Sequence, residues 1–128
     1  MEYDLLGINS GGHFMQFFRE GLADRGYHTT KEVRSARPGT RVKIAGFPVR
    51  PHRPPTKSGK TIVFLSLEDE FGLADITVFE HIYQRFGKFI FSDPAPPLVI
   101  WGKVERRGLG AAVIAEKITE FKGSMAAG

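Results

Sequence analysis

The chain has 128 residues, enough for one modest core with a short appendage, and its lack of cysteine excludes disulfides and thiolate metal sites. Hydrophobic residues make up 41% and charged residues 25%, which excludes a disordered composition, and no apolar run approaches the roughly 18 residues that cross a bilayer. The net charge of +4 is unevenly spread: residues 1–40 hold five basic and five acidic side chains, residues 41–128 thirteen and nine.

Residues 1–40 are expected to form a helical N-terminal segment. The opening Met1-Glu2-Tyr3-Asp4 is acidic where a signal peptide is basic, so a cytoplasmic protein is expected. A loop at Asn9-Ser10-Gly11-Gly12 precedes a helix over 13–24, in which Phe14, Phe17, Phe18 and Leu22 recur at spacings of three and four and share a face. Gly26 is the expected stop. A second, short helix follows over 31–36, with Thr30 as candidate cap and Glu32 close behind, and Pro38-Gly39 breaks it.

At Arg41 the rhythm becomes strand-like. Residues 41–50 alternate basic and apolar side chains and are interrupted by Gly46 and Pro48, a pattern that marks a bulge or a bend at a barrel corner. A Pro/Gly/Lys loop over 51–60 leads to a strand over 61–67, a turn at Glu68-Asp69-Glu70-Phe71-Gly72 and a strand over 73–79, together a hairpin. Residues 80–91 read as a helix with Ile82, Phe86, Phe89 and Ile90 on one face, ended by Asp93-Pro94-Ala95-Pro96-Pro97. A strand over 98–104, a loop over 105–110 and a strand over 111–118 complete the order, and residues 122–128 are expected to be a flexible tail.

Five strands with a helix between the third and fourth describe an OB-fold, a mainly β, partly open barrel, here over residues 41–121. An SH3-like barrel leaves less room for a helix of this length. The ligand face of an OB-fold is built on strands two and three and on the loops joining strands 1–2 and 4–5. Both loops are basic here, with Arg50, His52, Arg53, Lys57 and Lys60 in the first and Arg106 and Arg107 in the second. Residues 41–60 as a whole carry six cations and no anion, Arg41 and Lys43 included, a local field that attracts polyanions. Edge strands of an open barrel can pair between chains, so a monomer or a weak dimer is expected.

Alternation assigns Val63, Leu65 and Leu67 to the barrel interior and Ile62, Phe64 and Ser66 to its outside; on the next strand Ala74, Ile76 and Val78 point in, leaving Asp75 and Thr77 outside beside Phe64. An outward aromatic between basic loops is what base stacking requires, at about 1–3 kcal/mol per base. Trp101 shares register with Lys103 and is a second candidate, although a lone tryptophan also packs readily against a docked helix. The expected contact set is therefore Lys43, Arg50, Arg53, Lys57, Lys60, Phe64, Asp75, Thr77, Trp101, Lys103, Arg106 and Arg107.

Catalytic constellations are not legible. The acids Glu68, Asp69 and Glu70 alternate in direction and are expected to be solvated in a turn. His13, His28, His52 and His81 are scattered without metal-ligand spacing, Gly59-Lys60-Thr61 lacks the upstream glycine of a phosphate loop, and Ser10 and Ser58 have no organised base. No metal, no cofactor and no catalytic residue is expected.

The stretches Arg41-Val42-Lys43-Ile44-Ala45-Gly46, Arg53-Pro54-Pro55-Thr56 before Gly59-Lys60, and Phe64-Leu65-Ser66-Leu67-Glu68-Asp69-Glu70-Phe71-Gly72 resemble the C-terminal OB domain of bacterial DNA polymerase III alpha subunits, most closely the error-prone form. Trp101-Gly102-Lys103-Val104-Glu105-Arg106-Arg107-Gly108 is similar to that domain's fourth strand and following loop. Glu2-Tyr3-Asp4-Leu5-Leu6-Gly7 and Gly12-His13-Phe14-Met15 are similar to the helical segment before the barrel. Phe14 stands where the family usually has proline, and Phe71 where threonine is common. The polymerase palm, whose carboxylates hold the metal ions of nucleotidyl transfer, has no counterpart here. The resemblance implies contact with single-stranded template and neighbours that recruit replication proteins. Single-stranded DNA binding with weak sequence preference is the leading expectation, and phosphate contacts from Arg50, Arg53, Lys57, Lys60 and Lys103 predict a salt slope near about −3.5. The alternatives are a module that docks on a polymerase or accessory replication protein, and RNA or tRNA binding.

Overall fold

The computed structural model describes residues 15–92, 94–108 and 110–122. The expected loop at residues 9–12, Phe14, and the tail from residue 123 onward lie outside the described residues. Strands β1 (Arg41–His52), β2 (Ile62–Asp69), β3 (Gly72–Phe79), β4 (Leu98–Arg107) and β5 (Gly110–Glu120) close into a barrel in the order β1-β2-β3-β5-β4. Neighbours are antiparallel except β3 and β5, which run parallel over 75–77 and 112–114. The barrel is closed rather than partly open, with β3 and β5 meeting over three residue pairs.

Closure depends on β1, which is shared between two partners. It pairs with β4 over 41–46 and with β2 from Phe47 onward. The change of partner falls at Gly46, where any Cβ would overlap the Glu68 carbonyl. The glycine read as a corner is one, and the reason is close approach of a second backbone. Inward residues alternate as expected: Val63, Leu65 and Leu67 of β2 and Ala74, Ile76 and Val78 of β3 are all buried in one core with Ile44, Leu98, Ile100 and Val113.

The two short helices preceding the barrel, α1 (Arg19–Asp24) and α2 (Thr30–Ser35), differ from the sequence reading in detail. Residues Gln16–Phe18 form a 3-10 turn before α1. Three residues per turn place positions 15 and 18 on the same side, so Met15 is fully buried while Phe17 is 73% exposed. Met15, Leu22, Ala45, Val99 and Phe121 then form a second, smaller core against which Phe18 and Trp101 pack. Gly26, at φ +79°, ends α1 in a Schellman motif: Tyr27 N–H donates to Leu22 O at 2.9 Å and Gly26 N–H to Ala23 O at 3.1 Å.

The cap of α2 is Thr29, not Thr30. Its hydroxyl accepts from Glu32 N–H at 3.0 Å while Glu32 accepts from Thr29 N–H at 2.7 Å, a reciprocal capping box. Thr30 is taken elsewhere, because its buried hydroxyl donates to Asp69 at 2.6 Å and its N–H to the other Asp69 oxygen at 2.9 Å. This also overturns the solvated acidic turn. Asp69 is 2% exposed and additionally accepts from Phe71 N–H at 2.9 Å, while Glu70 is held by Arg19. A buried carboxylate in this position is stable because three donors bond it and the Arg19 guanidinium lies 3.5 Å away.

Helix α3 (Glu80–Phe86) lies between β3 and β4 and continues as a 3-10 turn over Gly87–Phe89. Ile82, Phe86, Phe89 and Ile90 pack against the barrel core, as their spacing predicts. Strand β4 runs on to Arg107, pairing with Gly110, so Arg106 and Arg107 stand on a strand and not in a loop. Among the described residues no helix is long and apolar enough to cross a membrane.

Candidate nucleic-acid interface

Register brings four outward side chains of β2 and β3 into a patch two strands wide: Phe64 lies opposite Thr77, and Ser66 opposite Asp75. Strand β1 adds a third row. Its ladder with β2 is interrupted between Val49 and His52, a bulge in which Arg50 adopts φ +52°. Bulges re-aim side chains. His52 resumes pairing opposite Phe64, and its ring lies 5.8 Å from the phenyl ring at 30°. Its Nδ1 is 3.2 Å from the Arg50 carbonyl oxygen.

The β4 extension completes the patch. Arg107 donates to Thr77 Oγ1 at 2.8 Å, and its guanidinium carbon sits 5.6 Å from the centre of the Phe64 ring. Thr77 is therefore on the outer face yet only 1% exposed, covered by the arginine. Phe64 is half-buried, with an imidazole and a guanidinium as ring neighbours. Together these elements line a cleft of about 530 Å³ that also includes Pro54. Its chemistry is a fixed aromatic platform, two arginines and one carboxylate.

Of the twelve expected contact residues, Arg50, Phe64, Asp75, Thr77 and Arg107 meet in this cleft. Arg53 stands away from it, its guanidinium 5.3 Å from the Phe91 ring and 5.9 Å from Tyr83. Lys57 is exposed on the same loop, and Lys60 lines a second cleft of about 420 Å³ with Ile62, Phe79, Glu80 and His81. Lys103 and Arg106 are exposed on β4. Lys43 and Trp101 belong to another surface: the lysine ammonium donates to Arg25 O at 3.0 Å and lies 4.3 Å from the Tyr27 ring, and Trp101 packs on the smaller core with Lys117 at 4.8 Å. The tryptophan therefore serves as a docking surface for the helical segment.

His52 and Ser66 also line the cleft and were outside the expected contact set. His52 reads as a loop residue beside two prolines, and only the bulge returns it to the ladder. Ser66 was on the right face but carries no charge or ring to single it out. None of the described residues from 15 to 40 lines the cleft. Instead that segment is clipped to the β2–β3 turn. Arg19 Nε and Nη2 donate to Glu70 at 2.5 and 2.8 Å, and Arg34 donates from both terminal nitrogens to the Phe71 and Leu73 carbonyls at 3.0 Å. Burial disfavours the charged form of Glu70, but the Arg19 hydrogen bonds and charge outweigh it and hold the carboxyl below its ordinary range.

No family model matches the chain. It is 61% identical over 107 residues to the error-prone DNA polymerase of Symbiobacterium thermophilum, covering 84% of this chain and 10% of that protein. The Brucella abortus error-prone DNA polymerase is 35% identical over 105 residues, covering 82% of this chain and 9% of the relative. The chain thus spans about one-tenth of the length of the curated relatives it matches. Among solved structures it is similar to RecG bound to a three-way DNA junction (TM-score 0.60, 15% identity, covering 77% of this chain and 13% of that one). It is also similar to asparaginyl-tRNA synthetase from Pyrococcus horikoshii (TM-score 0.57, 22% identity, 75% and 23%). At these identities the structural likeness establishes the barrel alone, while the sequence likeness shows that this OB-fold barrel is homologous to a stretch of about one-tenth of the length of error-prone DNA polymerases.

Proposed function

We propose that this barrel is a non-catalytic module that holds single-stranded DNA across the outer face of β2 and β3. The observation that carries the reading is the cleft in which the Phe64 ring is set among Arg50, His52 and Arg107. A base stacks on the aromatic platform while the arginines, with Arg53 and Lys57 beyond them, meet the phosphates. Descent from polymerases that act on DNA and a shared fold with a DNA-bound RecG support this reading over a purely structural barrel. Stacking is indifferent to base identity, so little sequence preference is expected along the strand as a whole.

The test is fluorescence anisotropy with labelled oligo-dT of about 20 nucleotides at two salt concentrations. Micromolar binding is expected. Four phosphate contacts give a slope of log K against log salt of about −3, and Phe64→Ala weakens binding by about 10-fold. A slope near zero, or an unaffected Phe64→Ala, removes the mechanism. The double charge reversal Arg53→Glu, Lys57→Glu separates DNA binding, which it abolishes, from docking on a replication protein, which it leaves. Comparing ribose and deoxyribose oligomers of one sequence separates RNA from DNA.

A further inference from the structure

We propose that the cleft reads a single guanine base in the bound strand, and that Asp75 is the residue that selects it. This rests on the single-strand reading above and adds base identity at one nucleotide position. The cleft is basic, yet it contains one carboxylate. Asp75 makes no ion pair among the described residues, and its one hydrogen bond is a long contact from Ser66 Oγ at 3.4 Å to Oδ1. Arg107, one of the two arginines of the cleft, donates from one of its terminal nitrogens to Thr77 rather than to the carboxylate. A free anion in a site for a polyanion repels phosphate, so its place there needs a compensating contact, and a base edge supplies one.

The geometry suits a purine on the platform. Asp75 is the diagonal neighbour of Phe64 across the β2–β3 ladder, which sets the two about 7–8 Å apart. A base centred on the ring brings its edge to the carboxylate. Guanine presents two adjacent donors, N1–H and the N2 amine, that match the two acceptor oxygens of a carboxylate. On its other side O6 and N7 are adjacent acceptors that match the fork of an arginine, and Arg50 and Arg107 line the same cleft. No other base fits both. Thymine places a carbonyl on each side of its single N–H, and cytosine and adenine set an acceptor beside the amine. The cleft, at about 530 Å³, has room for a base.

The experiment uses labelled dT octamers, short enough that binding registers do not dilute the effect, with one central position changed to dG, deoxyinosine or dA. The wild type is expected to bind the dG octamer about 5- to 10-fold more tightly than the dT octamer, the lower end of what one bidentate base contact gives. Deoxyinosine, which lacks the N2 amine, is expected to lose most of that gain. Asp75→Asn, nearly isosteric, erases the dG preference while binding dT at least as tightly, because it also removes a negative charge. Equal binding of all four octamers overturns the guanine assignment and leaves the single-strand reading standing. A dG preference that persists in Asp75→Asn overturns the role of this carboxylate. Failure to bind any octamer or the longer oligo-dT overturns the single-strand reading and this proposal with it.

Discussion

Arg50 sits at φ +52°, the left-handed region that most L-residues avoid at a cost of roughly 1–2 kcal/mol. Glycine adopts that conformation freely, so stability alone does not favour an arginine in the bulge, whereas a cleft that needs a guanidinium does. Arg50→Gly is therefore expected to raise the thermal midpoint, by an amount equivalent to about 1 kcal/mol, and to weaken oligo-dT binding several-fold. Parallel melts and anisotropy titrations check both signs, and a variant that loses stability would remove the argument from strain. Asp69 is the opposite case. It accepts from Thr30 N, Thr30 Oγ1 and Phe71 N and lies 3.5 Å from Arg19. Asp69→Ala strands those donors and is expected to cost about 3 kcal/mol in urea unfolding. Its burial was not legible, because a run of three acids before a glycine has the composition of a solvated turn, and its partner Thr30 is 39 positions away.

Elements were easier to read than their ends. The hairpin of β2 and β3 follows directly from alternation and a turn-forming Gly72, and its inward and outward sets are those the pattern assigns. The corner of β1 also follows, since Gly46 interrupts an alternating strand. Gly46→Ala is expected to destabilise the barrel by at least 2 kcal/mol, because the new methyl overlaps the Glu68 carbonyl and neither backbone can retreat without breaking a ladder. Loss of the folded amide pattern by NMR, or a large drop in thermal midpoint, is the readout. The two adjacent threonines before α2 have the same capping propensity, and only the capping-box spacing separates them, because Glu32 stands three residues after Thr29 and two after Thr30. Thr29→Ala removes the capping box and is expected to cost about 1 kcal/mol in the same assay.

For the molecule as a whole, the interesting contact is the one that ties the helical segment to the barrel. Arg19 and Glu70 form a two-pronged pair, and Glu70 has its proton affinity lowered by it. A carboxyl whose folded value lies below the ordinary 4.5 stabilises the fold fully above that value and loses the contribution as pH falls through the folded one. The gap in thermal midpoint between wild type and Glu70→Gln is thus expected to be constant from pH 7 down to about 5 and to narrow below 4.5. A gap that is the same at pH 3 and pH 7 would deny the pair its stabilising role. Because the clip lies at the β2–β3 turn and the described helical residues stay out of the cleft, Glu70→Gln should change DNA affinity little.

Alternation, turn composition and the count of charges are properties of a few neighbouring residues, so the order of strands and helices along the chain, the inward faces of β2 and β3, the position of α3 and the outward placement of Phe64 could all be read from the chain. The resemblance to the polymerases was legible for the same reason, in short stretches of sequence. The cleft itself was only half legible. Residue type and alternation point to Phe64, Asp75, Thr77, Arg50 and Arg107, but they point equally to Lys43 and Trp101, which lie on the surface against which the helical segment packs. Which outward side chains share a cleft depends on strand order around the barrel, on the bulge that swings His52 over Phe64 and on the run-on of β4 that brings Arg107 to Thr77. These contacts join residues 12 to 30 positions apart or more, and no local period encodes them; closure of the barrel brings them together because every strand must find a partner for its backbone.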